Sequence, residues 1–384
     1  MKKNYIDRRK VDLGKRWCEM IYLDNAATTK PNKAVIEAIN RCLTDNWGNP
    51  SSLHWMGTEA KFSVDRARET VAGLIGAKAK EIIFTSGACE SNSHAICGYL
   101  KANESGFITT GIEHSSIANI ADDYGAIIIP VDKDGLVDMG YLENALMSNQ
   151  NALVSIQYAN NEIGTVQDMN TVANIVHRYG GVLHTDATQI IPDRPIAVKN
   201  IDMMSFSGQK IGATKGIGIL YVRDGVEIKP IIYGSQEKSR RGGTENVPYI
   251  AGLSAAVKDI SYPDGKNRDY FVQRVLEGFD CYLVGSPIGD MRLKNNASIC
   301  FKGIEAESLM LLLNQKGIYV STGSACSSGS LKPSRVLEKI GLPEQDLHSV
   351  VRFSFGDQTI DDVDFVIHEI KQSLDFLKKI SGNI

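Results

Sequence analysis

The chain has 384 residues, long for a single core and enough for two domains. Its 43% hydrophobic and 23% charged content is that of an ordinary soluble globular protein. A net charge of −3 gives no electrostatic case for nucleic acid or a membrane surface, and no apolar run approaches a membrane span.

Residues 1–19 carry seven basic and three acidic residues and read as an N-terminal appendage. No apolar core follows the basic start, so it is not a secretory signal. The seven cysteines (Cys18, Cys42, Cys89, Cys97, Cys281, Cys300 and Cys326) are scattered, odd in number and form no CxxC pair. That argues against a disulfide framework or a zinc site and favours a reducing cytoplasm. There is no internal repeat.

Met20 stands directly before Ile21-Tyr22-Leu23-Asp24-Asn25-Ala26-Ala27-Thr28-Thr29. Helical spacing follows over 32–44, after Pro31 as a start signal, and again over 59–76. Gly48-Asn49-Pro50-Ser51-Ser52 between them is a loop. Glu81–Thr85 reads as a buried strand. Ser86-Gly87-Ala88-Cys89-Glu90-Ser91-Asn92 follows, then a helix. Small residues between a strand and a helix N-terminus make an anion cup, with a plain cap at Ser86 as the alternative.

Strands and helices then alternate. The strands are Phe107–Thr110, Ala126–Ile129, Ala152–Gln157, Val182–Thr185, Asp202–Phe206 and Ile219–Val222; the helices fall at 115–123, 139–149 and 169–179. This is the pattern of an α/β fold with a mostly parallel sheet. Polar residues follow the strands: Glu113-His114, Asn160-Asn161-Glu162, Asp186 to Gln189, and Ser207 to Lys210. From about residue 246 the pattern changes. Helices near 246–260 and 267–278, a strand at Ala297–Phe301, a helix at 305–315, a Gly/Ser loop around Cys326, a strand at 351–354 and a helix at 361–379 describe a smaller α+β domain. The expected division is an extension at 1–19, a large domain at 20–255 and a small domain at 256–384.

The stretch from His184 to Lys210 organises the rest. Strands ending in Asp186 and near Lys210 place a carboxylate and an amine at the rim of a sheet, where α/β proteins keep ligands. Such a pair suits pyridoxal 5′-phosphate (PLP): a lysine for its aldehyde and a carboxylate for its ring nitrogen. Taken alone, an Asp and a Lys at strand ends are most often surface residues.

The order of the motifs adds what the pair lacks. Tyr22 to Thr29, Phe84-Thr85-Ser86-Gly87-Ala88, Glu113-His114, Asn160 to Gly164, His184 to Gln189, Ser205 to Lys210, Gly243-Thr244-Glu245-Asn246 and Gly323-Ser324-Ala325-Cys326 together resemble the NifS/IscS-type cysteine desulfurases, class V aminotransferase-like PLP enzymes of fold type I. The resemblance covers nearly the whole chain after residue 20. It implies a large PLP domain with a mixed, mostly parallel sheet and a smaller C-terminal domain. It implies Lys210 as the Schiff-base lysine, Asp186 as partner of the pyridine nitrogen, and His114 as the imidazole stacked on the ring. Asn161 and Gln189 correspond to partners of the ring hydroxyl, with Asn161 also near the substrate. Ala88, Cys89, Ser207 and Gln209 correspond to the phosphate cup, and Thr244 to a threonine reaching the cofactor phosphate of the other subunit in a homodimer. Arg352 corresponds to the arginine for the substrate carboxylate. Cys326 corresponds to the cysteine that takes sulfur from L-cysteine as a persulfide and passes it to an acceptor protein.

There are departures. Cys89 stands where the family usually has Thr, and Gln209 where it usually has His. The chain ends at Ile384, whereas members serving an iron–sulfur scaffold often run further. The acceptor is therefore left open among iron–sulfur cluster assembly, tRNA thiolation and other sulfur trafficking. Two further functions stay in view: another PLP enzyme such as a selenocysteine lyase or sulfide-releasing β-lyase, and a non-catalytic relative. Cys326 in a Gly/Ser loop favours persulfide transfer over free sulfide. The intact Lys210, Asp186, His114, Arg352 and Cys326 argue against loss of catalysis. Cys42, Cys97 and Cys300 read as core. His54, His94, His177, His348 and His368 read as surface or capping residues without metal spacing.

Overall fold

The computed structural model describes residues 10–12, 17–322 and 333–381. Cys326 and its Gly/Ser neighbours lie outside the described residues. The chain divides into two compact units: Ala27–Asn161 with Thr165–Tyr262, and Met1–Ala26 with Glu162–Gly164 and Pro263–Ile384.

The larger unit is built on a seven-stranded sheet. Its order is Ile82–Thr85, Gly218–Val222, Met203–Ser207, Val182–Asp186, Leu153–Ser155, Phe107–Thr110, Ile127–Ile129. Gly218–Val222 runs antiparallel to both neighbours, and all other pairings are parallel. The central strands are buried on both faces, which is why they read as short apolar runs rather than as alternating ones. The helices begin at polar caps: Asn32 caps Lys33–Thr44, His54 caps Trp55–Ile75, Asp138 caps Met139–Ser148 and Asp168 caps Met169–Arg178.

The Val247–Lys258 helix belongs to this unit and not to the start of the smaller one. Val247, Ile250, Leu253, Ala256 and Val257 are buried. A Cβ on Gly252 would come within 2.9 Å of Ile39, so glycine lets this helix lie close against Lys33–Thr44. The division accordingly falls between Tyr262 and Pro263, later than the expected 255/256.

The smaller unit has a four-stranded antiparallel sheet ordered Cys281–Leu283, Asn296–Phe301, Val350–Ser354, Ser321–Thr322. Residues 20–26, expected in the large domain, join this unit. Ile21–Tyr22 pairs in parallel with Ile318–Tyr319, and Ile21 and Leu23 enter a core with Phe271, Phe301, Leu309 and Phe353. Within the basic extension, Lys10–Asp12 and Trp17–Glu19 form an antiparallel pair.

Candidate active site

Strand register assembles the site on one edge of the larger sheet. Thr85 pairs with Gly218, Gly218 with Ser207, and Ser205 with Asp186. The C-terminal ends of Ile82–Thr85, Met203–Ser207 and Val182–Asp186 therefore lie on one edge, with the start of the antiparallel Gly218–Val222 between the first two, the edge where open α/β sheets bind ligands. From that edge emerge Ser86-Gly87-Ala88, Gly208-Gln209-Lys210, Ala187-Thr188-Gln189 and, one and two strands further along, Asn160-Asn161 and Glu113-His114.

Asp186 is buried at its strand end. Oδ1 accepts the Thr188 N–H at 2.9 Å, and Oδ2 accepts Asn92 Nδ2 at 2.8 Å. Two accepted bonds leave a carboxylate capacity for a further donor. Asn92 also donates to Ser116 Oγ at 3.0 Å, and Ser116 Oγ lies 2.9 Å from His114 Nδ1. The imidazole of His114 caps its own helix, Ser115–Tyr124, taking the Ser116 N–H. Asp186 and His114 are thus joined through two residues that the motif reading did not single out. The signal was available for Asn92: it interrupts the apolar face carrying Ala95, Ile96 and Tyr99 on the Ala88–Ala102 helix.

Two further titratable groups lie beneath the edge. His184 is fully buried between Ser155 Oγ (2.8 Å) and Ser205 Oγ (2.9 Å), and burial pulls its pKa down to about 4, so it is neutral. Burial pushes the Glu113 carboxyl up to about 8, against hydrogen bonds from the Gln157 N–H and the Thr110 hydroxyl. His94, expected as a surface or capping residue, is fully buried, and its pKa is likewise lowered to about 4 by burial.

Lys210 ends a one-turn 3₁₀ helix, Gly208–Lys210, directly after Ser207. Its Nζ donates to the Ala27 carbonyl. The segment from Ala27 to Thr29 clasps this turn: Thr29 donates its N–H (2.8 Å) and its hydroxyl (2.9 Å) to the Gln209 carbonyl, and its Oγ1 accepts the Gly212 N–H at 2.8 Å. The Ala-Ala-Thr-Thr motif therefore works by holding the lysine turn. Gln209 and Lys210 are both half-buried.

The helix bearing Ala88 and Cys89 has Gly87 at its N-cap, not Ser86, and glycine supplies no side-chain cap. A Cβ on Gly87 would meet nothing within 4 Å, so space lies open at this N-terminus. Gly218 makes the close approach below: its Cβ would sit 2.4 Å from the Gly87 carbonyl carbon. Cys89 is exposed. Glu90 accepts the Ser86 N–H at 2.7 Å and holds Arg241 by two bonds, at 2.7 and 3.1 Å. Burial raises the Glu90 pKa, but Arg241 and Ser86 outweigh it and leave the carboxyl below its ordinary range. This pair ties the Arg241–Thr244 loop to the cup, with Thr244 itself exposed.

Gln189 is buried three residues after Asp186, and Asn161 is half-buried in a turn. Arg352 belongs to the smaller unit. It is buried on Val350–Ser354, and its Nη2 donates to Asp24 Oδ1 at 2.8 Å. Among the described residues no group of three or more His, Cys, Asp or Glu could hold a metal ion. No described helix is long and apolar enough to cross a membrane.

A family model described as aminotransferase class-V matches residues 21–366. The chain belongs to the class V aminotransferase family. A cysteine desulfurase IscS from Methanosarcina thermophila is 41% identical over 380 residues, 94% of this chain and 93% of its own. Among solved structures, a NifS-like protein superposes with a TM-score of 0.85 at 33% identity, over 93% of this chain and 100% of that one. SspA in complex with cysteine does so with a TM-score of 0.77 at 33% identity, over 87% and 98%. The resemblance to NifS/IscS-type proteins and the expected α/β fold are thereby borne out.

The residues present fit the cofactor of that family. A helix N-terminus with glycine at its cap and open space at Gly87 suits a phosphate. Asp186 retains acceptor capacity for a ring N–H, and Lys210 supplies an amine from the adjoining strand end.

Proposed function

We propose that the protein is a PLP-dependent cysteine desulfurase that moves sulfur from L-cysteine to Cys326 and releases L-alanine. The observation that carries this reading is the convergence of Lys210, Asp186 and His114 on one sheet edge in a member of this family. The solved relative that holds cysteine supports the choice of substrate.

When bound, PLP supplies an electron sink for the substrate carbon skeleton. Lys210 would hold its aldehyde and, once released, take the substrate α-proton at Nζ. Asp186 would keep the pyridine nitrogen protonated, and His114 would cover the ring. Asn161 and Gln189 would hold the ring hydroxyl. Ala88, Cys89, Ser207 and Gln209 would hold the phosphate; with Cys89 and Gln209 in the cup, backbone N–H groups and an amide take the place of a hydroxyl and an imidazole. Arg352 would bind the substrate carboxylate. The Cys326 thiolate then attacks the substrate sulfur. An S–S bond forms as the C–S bond breaks, and that bonding pair stays with the carbon skeleton, which leaves as alanine after protonation.

The exposed Thr244, on a loop braced by Arg241–Glu90, supports a homodimer in which it reaches the partner's phosphate. An unidentified sulfur-acceptor protein receives the persulfide sulfur, and seven scattered cysteines with no CxxC pair support a reducing, cytoplasmic setting.

Purified protein given PLP and L-cysteine is expected to form L-alanine. Alanine from L-selenocysteine but none from L-cysteine would replace this reading with a selenocysteine lyase.

A further inference from the structure

We propose that Asn92 and Ser116 are positioning residues that set which nitrogen of His114 carries the proton. Asn92 is fully buried, and its amide nitrogen has two protons and no capacity to accept. One proton points at Asp186 Oδ2, 2.8 Å away, and the other at Ser116 Oγ, 3.0 Å away. The reverse orientation of the amide would set Oδ1 against the carboxylate with no proton between them. Ser116 Oγ therefore accepts from Asn92 and has a single proton left to give. His114 Nδ1 lies 2.9 Å from that oxygen and also faces the Ser116 backbone N–H at 3.2 Å. Both groups donate, so Nδ1 is an acceptor and the neutral imidazole carries its proton on Nε2.

The polarity runs in one direction because its source cannot reverse. An amide nitrogen donates at both ends, so Asn92 fixes the Asp186 carboxylate and the His114 tautomer together. A hydroxyl or a water in its place could turn round and leave the Ser116 backbone N–H as the fixed donor to Nδ1. In its catalytic consequence this rests on the reading of His114 given above: the ring would offer an Nε2–H donor, not a lone pair, at that nitrogen.

Ring nitrogen-15 spectra of the full chain with bound PLP and no substrate test it, with His114→Gln identifying the signals. The expected wild-type result is an unprotonated Nδ1 and a protonated Nε2. Ser116→Ala should move the Nδ1 signal toward that of a ring nitrogen without a donor, and Ser116→Thr should restore it. Asn92→Leu, if folded, should shift it in the same direction as Ser116→Ala. The Ser116 pair decides the matter alone if the Asn92 variant does not fold. A protonated Nδ1 in the wild type overturns the proposal. So does an Nδ1 signal unmoved by Ser116→Ala, or by a folded Asn92→Leu. No turnover is involved, so a protein inactive on L-cysteine would sink the desulfurase reading and leave this result standing.

Discussion

Replacing Glu113 by Gln should change how stability depends on pH. Glu113 is only 4% exposed, and burial places its pKa at about 8 despite hydrogen bonds from Thr110 and Gln157. An unfolded glutamate titrates near ~4.3. Between those two values the folded chain holds a proton that the unfolded chain has released. Stability from this group is therefore full below the lower value and is lost as pH rises, levelling off above about 8. The limiting slope is about 1.4 kcal/mol per pH unit. Unfolding entropy of about 2 cal/mol/K per residue over the chain turns that into roughly 2 °C per pH unit. Gln resembles the protonated carboxyl in shape and does not titrate. The melting temperature of Glu113→Gln, measured beside the wild type from about pH 5.5 to 8.5, should rise relative to it as pH increases. Parallel curves would refute the claim that Glu113 folds protonated.

Three further outcomes follow from the site. Cys326→Ser should keep PLP and still respond spectrally to L-cysteine, yet form no persulfide and lose nearly all alanine production, because a hydroxyl is a poor substitute for a thiolate. Gly218→Ala must push the strand away from Gly87, 2.4 Å from the added Cβ, and PLP affinity by equilibrium dialysis should fall about tenfold, the lower end of an overpacking cost of ~1–3 kcal/mol. Asp24→Ala leaves the buried Arg352 without its carboxylate. Denaturant unfolding should show a loss of about 2 kcal/mol, below the ~3–5 of a fully buried pair because Asp24 is part-exposed, and the KM for L-cysteine should rise.

The large sheet was legible because strands buried on both faces read as apolar runs between turn residues, and Phe107–Thr110 was placed to the residue. The strands Cys281–Leu283, Ile318–Tyr319 and Ser321–Thr322 were not read, since two or three residues carry no period. The Val247–Lys258 helix was seen, but the change of pattern was read at its start and the expected boundary at 255/256 cut through it; its apolar face does not say which neighbour it covers. Asp186, Lys210 and His114 came from local motifs and the order in which they stand. The Asn92 bond to Asp186 joins residues 94 positions apart, and the Thr29 grip on the lysine turn joins residues 180 apart, so neither has a local pattern. Buried His94 shows the same limit: a histidine at one helical position does not reveal which face of the helix is covered.

The most direct test of the desulfurase account is peptide mass mapping after one turnover with L-cysteine and PLP. One added sulfur is expected on the peptide containing Cys326, removable by a reductant, together with one alanine per sulfur. Free sulfide with Cys326 unmodified, at the same yield of alanine, would contradict it and replace persulfide transfer with direct release.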